Sequence, residues 1–436
     1  VPLQESAEGV KALRLRLAEV LSGMGRREEA LDAARRALEV EPHAVADLDR
    51  VHALFVSLRA YNDAVRALEL KVQVHLQTDE RDQAVATWFA VADLWAGEGN
   101  KPDLAAGALE KVLELDPANR TAYERACALY RGNNDWRTYA QVVDRYLPHL
   151  VTEEEKLATL KELARVQEER LGQKDVAFLA LCRALQIDAS DDTLREEVER
   201  LADETGSHEE LAAVYEEVAD ALPRGPLAER MYATLARVHD LKLDDAQAAE
   251  AALRKILEFD PTNVTALDGL AGMFQRRGRE REYVVALEQK IEAADSIETR
   301  KAILREIARV HDEQGDPDES ATALLRALEL EPDAETLGVL TALYRRQRAW
   351  KDVAATLLRA RDLASTVEER ARIQLEIASV YERDIGDDEP AVAAYRQALE
   401  FEPYNLYALE SLERLHTRLD QPAELLAIYE RMLEVI

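Results

Sequence analysis

The chain has 436 residues, of which 47% are apolar, 33% charged and only 6% aromatic. Its formal charge of −30 repels nucleic-acid backbones and anionic membrane surfaces, which excludes both as principal partners. With 16 Gly and 13 Pro there is little material for extended sheets or disordered linkers, and no apolar run reaches the ~18 residues of a membrane span.

The chain repeats from its start. ALEVEP ends at Pro42, and VLELDP, ALQIDA, ILEFDP, ALELEP and ALEFEP end at Pro117, Ala189, Pro261, Pro332 and Pro403, in steps of 75, 72, 72, 71 and 71 residues. The proline stops one amphipathic helix just ahead of the next. The pair of helices before each mark is clearest in residues 301–332. There Leu304, Ile307, Ala308 and His311 share a face, Gly315-Asp316-Pro317 turns, and Ser320, Leu324 and Ala327 share a second face. Helices this short cannot bury such stripes alone, so copies must stack.

Between the marks lies a second, looser hairpin. Its first helix carries Phe55, Tyr130, Phe274, Tyr344 or His416, and Tyr61, Trp136 or Trp350 comes near its turn. Six pairs of unlike hairpins, about 24 helices in all, fill the chain. Thr152 with Glu155 and Thr366 with Glu369 have capping-box spacing, and Gly23-Met24-Gly25 sits where a helix must turn. Residues 190–226 depart from the pattern. Ala189 replaces the terminating proline, Ala202 replaces the aromatic, and Pro223-Arg224-Gly225-Pro226 follows, which reads as a soft joint inside a single 1–436 solenoid.

The hairpin resembles the tetratricopeptide repeat, with its 34-residue W-x2-L-G-x2-Y, A-x3-F and P pattern. Trp88, Val91, Ala92 and Trp95, then Ala105, Leu109 and Pro117, follow it most closely; Leu304, Ile307, Ala308, His311, Ser320, Leu324 and Pro332 hold the same places. The resemblance, to long bacterial-type arrays of alternating paired repeats, covers nearly the whole chain. It implies an all-α α-solenoid, a right-handed superhelix of about twelve hairpins whose first helices line a concave groove.

Carried onto this sequence, the resemblance puts Arg165, Arg200, Arg237, Arg309 and Arg414 at one groove-facing position. Arg305 lies one turn before Arg309, and the looser hairpins add Arg276, Arg345 and Arg346. The corresponding N-terminal positions are Glu19, Ala53, Asp93 and Ala128, so the groove is expected to turn basic after about residue 160. Arginine forks take carboxylates or phosphates bidentately, which points to an acidic or phosphorylated partner segment. The competing expectation pairs these arginines with Asp312, Glu313, Asp240, Glu168 or Glu169 nearby on the same helices. The Lys and Asn set with which some family members clamp a C-terminal carboxylate has no counterpart here.

No catalytic, cofactor-binding or metal-ligating set is expected. His239 and His311 share a repeat position, held elsewhere by Trp95, Gln167 and Tyr381, but stand two hairpins apart, too far to share an ion at bonds of about 2 Å. Cys127 and Cys182 match no metal spacing and suit a thiol-tolerant compartment. The sequons at Asn119 and Asn263 sit where helix caps are wanted, and the glycines of GLAGMFQRRG are expected inside a repeat helix. A first residue of Val1 instead of Met reads as that of a processed or excised segment, with any signal peptide expected outside it.

The expected function is a non-catalytic scaffold that holds another protein's segment by many weak groove contacts. The alternatives are a self-assembling solenoid joined through its apolar ends, such as LLAIYERMLEVI, and a regulatory or targeting arm of a larger enzyme. The expected compartment is the cytoplasm, with the periplasm as the alternative.

Overall fold

The computed structural model describes residues 7–435. Among them lie 24 α-helices in two compact units, Val1–Ala221 and Leu222–Ile436. In the first unit the hairpins are α1 (Ala7–Gly23) with α2 (Arg27–Leu38), α3 (Val45–Ser57) with α4 (Tyr61–Gln77), α5 (Arg81–Ala96) with α6 (Pro102–Leu115), α7 (Arg120–Gly132) with α8 (Trp136–Tyr146), α9 (Glu153–Glu169) with α10 (Lys174–Ile187), and α11 (Asp192–Thr205) with α12 (His208–Ala221). The second unit pairs α13 (Pro226–Leu241) with α14 (Ala246–Phe259), α15 (Val264–Arg276) with α16 (Glu280–Ala293), α17 (Ile297–Gln314) with α18 (Pro317–Leu330), α19 (Ala334–Gln347) with α20 (Trp350–Leu363), α21 (Val367–Ser379) with α22 (Asp388–Phe401), and α23 (Leu406–Arg418) with α24 (Pro422–Val435). Each unit is an all-α stack of six hairpins. The division falls within residues 190–226.

The helices begin and end where the side chains dictate. Asn119, Thr152, Asn263, Thr366 and Asn405 accept hydrogen bonds from Ala122, Glu155, Ala266, Glu369 and Ala408 N–H groups, and so cap first helices. Both sequon asparagines are therefore caps. The second helices α6, α10, α14, α18 and α22 each stop two residues before the recurring mark. Every hairpin turn passes through one residue in the left-handed region: Gly25, Arg59, Asn100, Asn134, Gly172, Gly206, Asp244, Gly278, Gly315, Arg348, Gly386 and Asp420. Gly278 thus belongs to a turn, while only Gly269 and Gly272 of GLAGMFQRRG lie inside α15.

Packing follows the stripes. Leu304, Ile307, Ala308, Ser320, Leu324 and Ala327 are buried between α17 and α18, and the equivalent alanines and leucines of α1 to α4 form one continuous core. A short π segment, Val380–Ile385, carries α21 on to its left-handed cap at Gly386. Such a segment rotates the last turn of a helix, and here it carries Glu382, whose side chain is 9% exposed. Glu382 receives the Tyr395 hydroxyl at 2.8 Å.

Candidate functional site

The first helices of neighbouring hairpins are joined by ion pairs that recur with the double repeat. An acid on the first helix of the tighter hairpin meets an arginine on the first helix of the looser one. In the first unit these are Glu19 with Arg50 at 2.8 Å, Asp93 with Arg125, and Glu168 with Arg200 at 2.8 Å. In the second they are Asp240 with Arg276, Asp312 with Arg346 at 2.8 Å, and Glu382 with Arg414 at 3.4 Å. Arg200 grips Glu168 with two parallel bonds of 2.8 and 2.9 Å. Charge alternation between unlike hairpins thus builds one cross-helix pair into each of the six doublets.

The nine arginines singled out in the sequence fall into three groups on this frame. Arg200, Arg276, Arg346 and Arg414 are the basic members of those pairs. Arg165 and Arg309 answer acids on their own helices, Glu169 at 3.2 Å and Glu306 and Glu313 at 2.6 and 2.5 Å; Arg237, exposed on α13, is also engaged. Arg345 reaches forward to Glu376, and Arg305, 19% exposed, lies among Glu298, Asp333 and Glu335 near the start of α19. The carboxylates of Glu168 and then Glu204 hold the Arg200 guanidinium above its ordinary value, and Glu306 and then Glu313 do so for Arg309.

Arginines do not begin at residue 160 on this face. Arg50 and Arg125 stand one turn before Ala53 and Ala128, and were missed because alignment by spacing does not fix which turn of a helix meets its neighbour. Asp240, named among the acids expected to take these arginines, does so from a neighbouring helix and with a second arginine that the sequence alone did not single out: 7% exposed at its side chain, it takes both Arg276 and Arg277.

The same face carries clefts between first helices. Arg165, Arg200, Lys161, Glu168 and Glu197 line one of about 890 Å3 between α9 and α11, which brings two of the candidate arginines together. Arg345, Arg372, Gly338 and Leu363 line another of about 430 Å3 around α19, α20 and α21. Among the described residues no three His, Cys, Asp or Glu side chains converge on a possible metal position. Cys127 and Cys182 are buried in α7 and α10, and burial pushes the thiols up to about 11 and about 12. Among the described residues no helix is long and apolar enough to cross a membrane.

The tetratricopeptide repeat profile matches residues 12–43, 229–263, 306–334 and 371–405. Every match lies on the tighter hairpin of a doublet; the stretch around Trp88 and Trp95, the closest to the consensus by eye, is not among them. No curated protein matches the chain. Among solved structures, a crystal structure of MamA is 18% identical over 39% of this chain and 90% of that one, with a TM-score of 0.25. The complex of Naa15 and Naa10 bound to HypK-THB is 15% identical over 99% of this chain and 70% of that chain, at 0.25. The hetero-tetramer Cut9–Hcn1 is 13% identical over 97% and 93%, at 0.23. At these TM-scores none of the three carries weight for this chain. Stacked repeats of this kind present extended surfaces to other proteins, which makes the molecule an interaction scaffold in general terms. The profile recurs four times in register with the doublets seen in the structure, and the chain carries tetratricopeptide repeats at these four places.

Proposed function

We propose that the chain is a non-catalytic scaffold that holds a segment of a partner protein along the first-helix face, with arginines as exchangeable anchors for acidic or phosphorylated side chains. The observation that carries this reading is the α9–α11 cleft, where Arg165 and Arg200 converge with side chains 67% and 43% exposed. Exposed pairs of this kind contribute little each, up to about 1 kcal/mol. An incoming phosphate, with more charge than one carboxylate and three acceptor oxygens, displaces Glu169 at small cost.

The test uses a phosphoserine-bearing acidic peptide, its unphosphorylated form and a lysine-rich counterpart, titrated against the chain and against the variant Arg165→Glu. Arg165 pairs within its own helix, so the variant leaves the six cross-helix pairs whole. Loss of one charge-assisted contact is expected to weaken the phosphopeptide on the order of tenfold or more. Equal binding by the variant, or preference for the lysine-rich peptide, overturns the acidic-partner reading.

A further inference from the structure

The first and last described hairpins carry apolar stripes whose counterparts elsewhere in the repeat are buried. On α1, Leu13, Leu17 and Val20 are 47%, 53% and 59% exposed. Counted back from the left-handed turns at Gly25 and Gly315, they hold the places of Ile303, Ile307 and Val310 on α17, all buried. Ile373, Ile377 and Val380, also buried, repeat that stripe at α21. On α24, Leu426, Tyr429 and Leu433 are 61%, 45% and 75% exposed. Counted from the helix starts at Pro422 and Trp350, the first two hold the places of Ala354 and Leu357 on α20, both buried.

Inside the chain these two kinds of stripe meet. Ala354 and Leu357 share one core with Ile373, Ile377 and Val380, where α20 packs on α21 and the π segment. The junction after α8 leaves a cleft of about 320 Å3, lined by Ala140 and Asp144 on one side and by Leu163, Ala180 and Arg183 on the other. The α1–α2 hairpin presents the second side by itself, as a notch of about 390 Å3 lined by Leu17, Ala33 and Arg36, the counterparts of Leu163, Ala180 and Arg183. The first side is presented by α24, where Leu426 and Glu430 stand in the places of Ala140 and Asp144. An ion pair crosses the junction at the same two positions: Arg183 donates to Asp144 at 3.0 Å, and Arg326 on α18 to Glu288 on α16 at 2.6 Å. Arg36 and Glu430 hold those positions and are exposed, Arg36 answering only Asp32 on its own helix, at 3.0 Å.

We propose that these are the two halves of one interface between copies of the chain. The α24 face of one copy seats the α1–α2 face of a second, with Leu426, Tyr429 and Leu433 against Leu13, Leu17 and Val20, and with Arg36 paired to Glu430 across the boundary. The junction that the chain builds between its own doublets is thereby repeated between molecules. Such a contact is heterologous, so each copy in a pair keeps one face free for a third. The proposal does not depend on the acidic-partner reading. It is tested by sedimentation of the 436-residue chain over a concentration series, where the mass is expected to rise past that of a dimer. Leu17→Glu and Leu433→Glu each stay monomeric alone, and their mixture stops at the dimer, because each copy then has one unblocked face. Arg36→Glu or Glu430→Arg weakens association about tenfold, and the two together in one chain restore it. All four sites are exposed, and the circular dichroism of each variant is expected to match the parent. A monomer throughout the series leaves these faces to some other occupant and overturns the interface. Association of either leucine variant alone, which would pair like faces or use another surface, overturns it too, as does a mixture of the two that remains monomeric. Failure of the double charge reversal to restore association overturns the register that joins Arg36 to Glu430.

Discussion

Two of the twelve hairpin turns put an arginine, Arg59 or Arg348, in the left-handed region that glycine or asparagine fills without strain. Arg348 has φ 59 and ψ 28 and caps α19 through its backbone N–H. Arg348→Gly is expected to stabilise the second unit by about 1 kcal/mol, read as a rise in the urea midpoint; a fall would show that the arginine side chain contributes more than its backbone strain costs. Asp240 presents the opposite case. Its carboxylate is 7% exposed and holds two guanidinium groups, so Asp240→Ala strips Arg276 of this partner and leaves Arg277 to Asp244 at 2.8 Å. A loss of about 1–3 kcal/mol is expected, against about 1 kcal/mol or less for Arg276→Ala, whose side chain is 56% exposed. Equal losses would mean that Asp240 counts only as one more surface acid.

At the level of the helices, the period, the proline stops and the caps were all legible, because each is a local signal. Asn119 and Thr152 announce a helix start within four residues of themselves. The cross-helix pairs were not, since Glu168 and Arg200 meet only after two helices have chosen their rotation about their own axes. Nor was the π segment at Val380–Ile385, which no residue type demands. The weak stretch at 190–226 rests on both kinds of information. Ala202 is fully buried where other hairpins bury a ring, and α11 meets α12 along a shorter seam than α17 meets α18. Amide exchange is expected to be faster through 190–226 than through 301–332. Protection there equal to that of 301–332 would remove the soft joint.

Across the molecule, 86 acids outnumber 56 lysines and arginines, and many of the acids are held in pairs. Arg326 draws the Glu288 carboxyl below its usual range, and Arg309 does the same for Glu306. A group whose folded value is depressed stabilises the protein above its unfolded value and ceases to do so as pH falls through the folded one. The destabilisation caused by Glu288→Gln is therefore expected in full at pH 7 and to shrink as pH falls below the ordinary glutamate value of about 4.3 towards and through the depressed folded one. A difference that persisted at acid pH would assign it to packing instead of charge.

The alternation of acid and arginine along the first helices gives the array a parity. Removing both hairpins of a doublet, α17 to α20, leaves each remaining acid of the six cross-helix pairs beside the arginine of its own doublet. Removing α19 and α20 alone brings α17 against α21, so that Asp312 faces Glu376 and Glu382, and like charges repel where opposite ones attracted. The even deletion is expected to melt close to the parent and the odd one well below it. If so, such an array lengthens or shortens by doublets, and its permitted lengths are counted in twos.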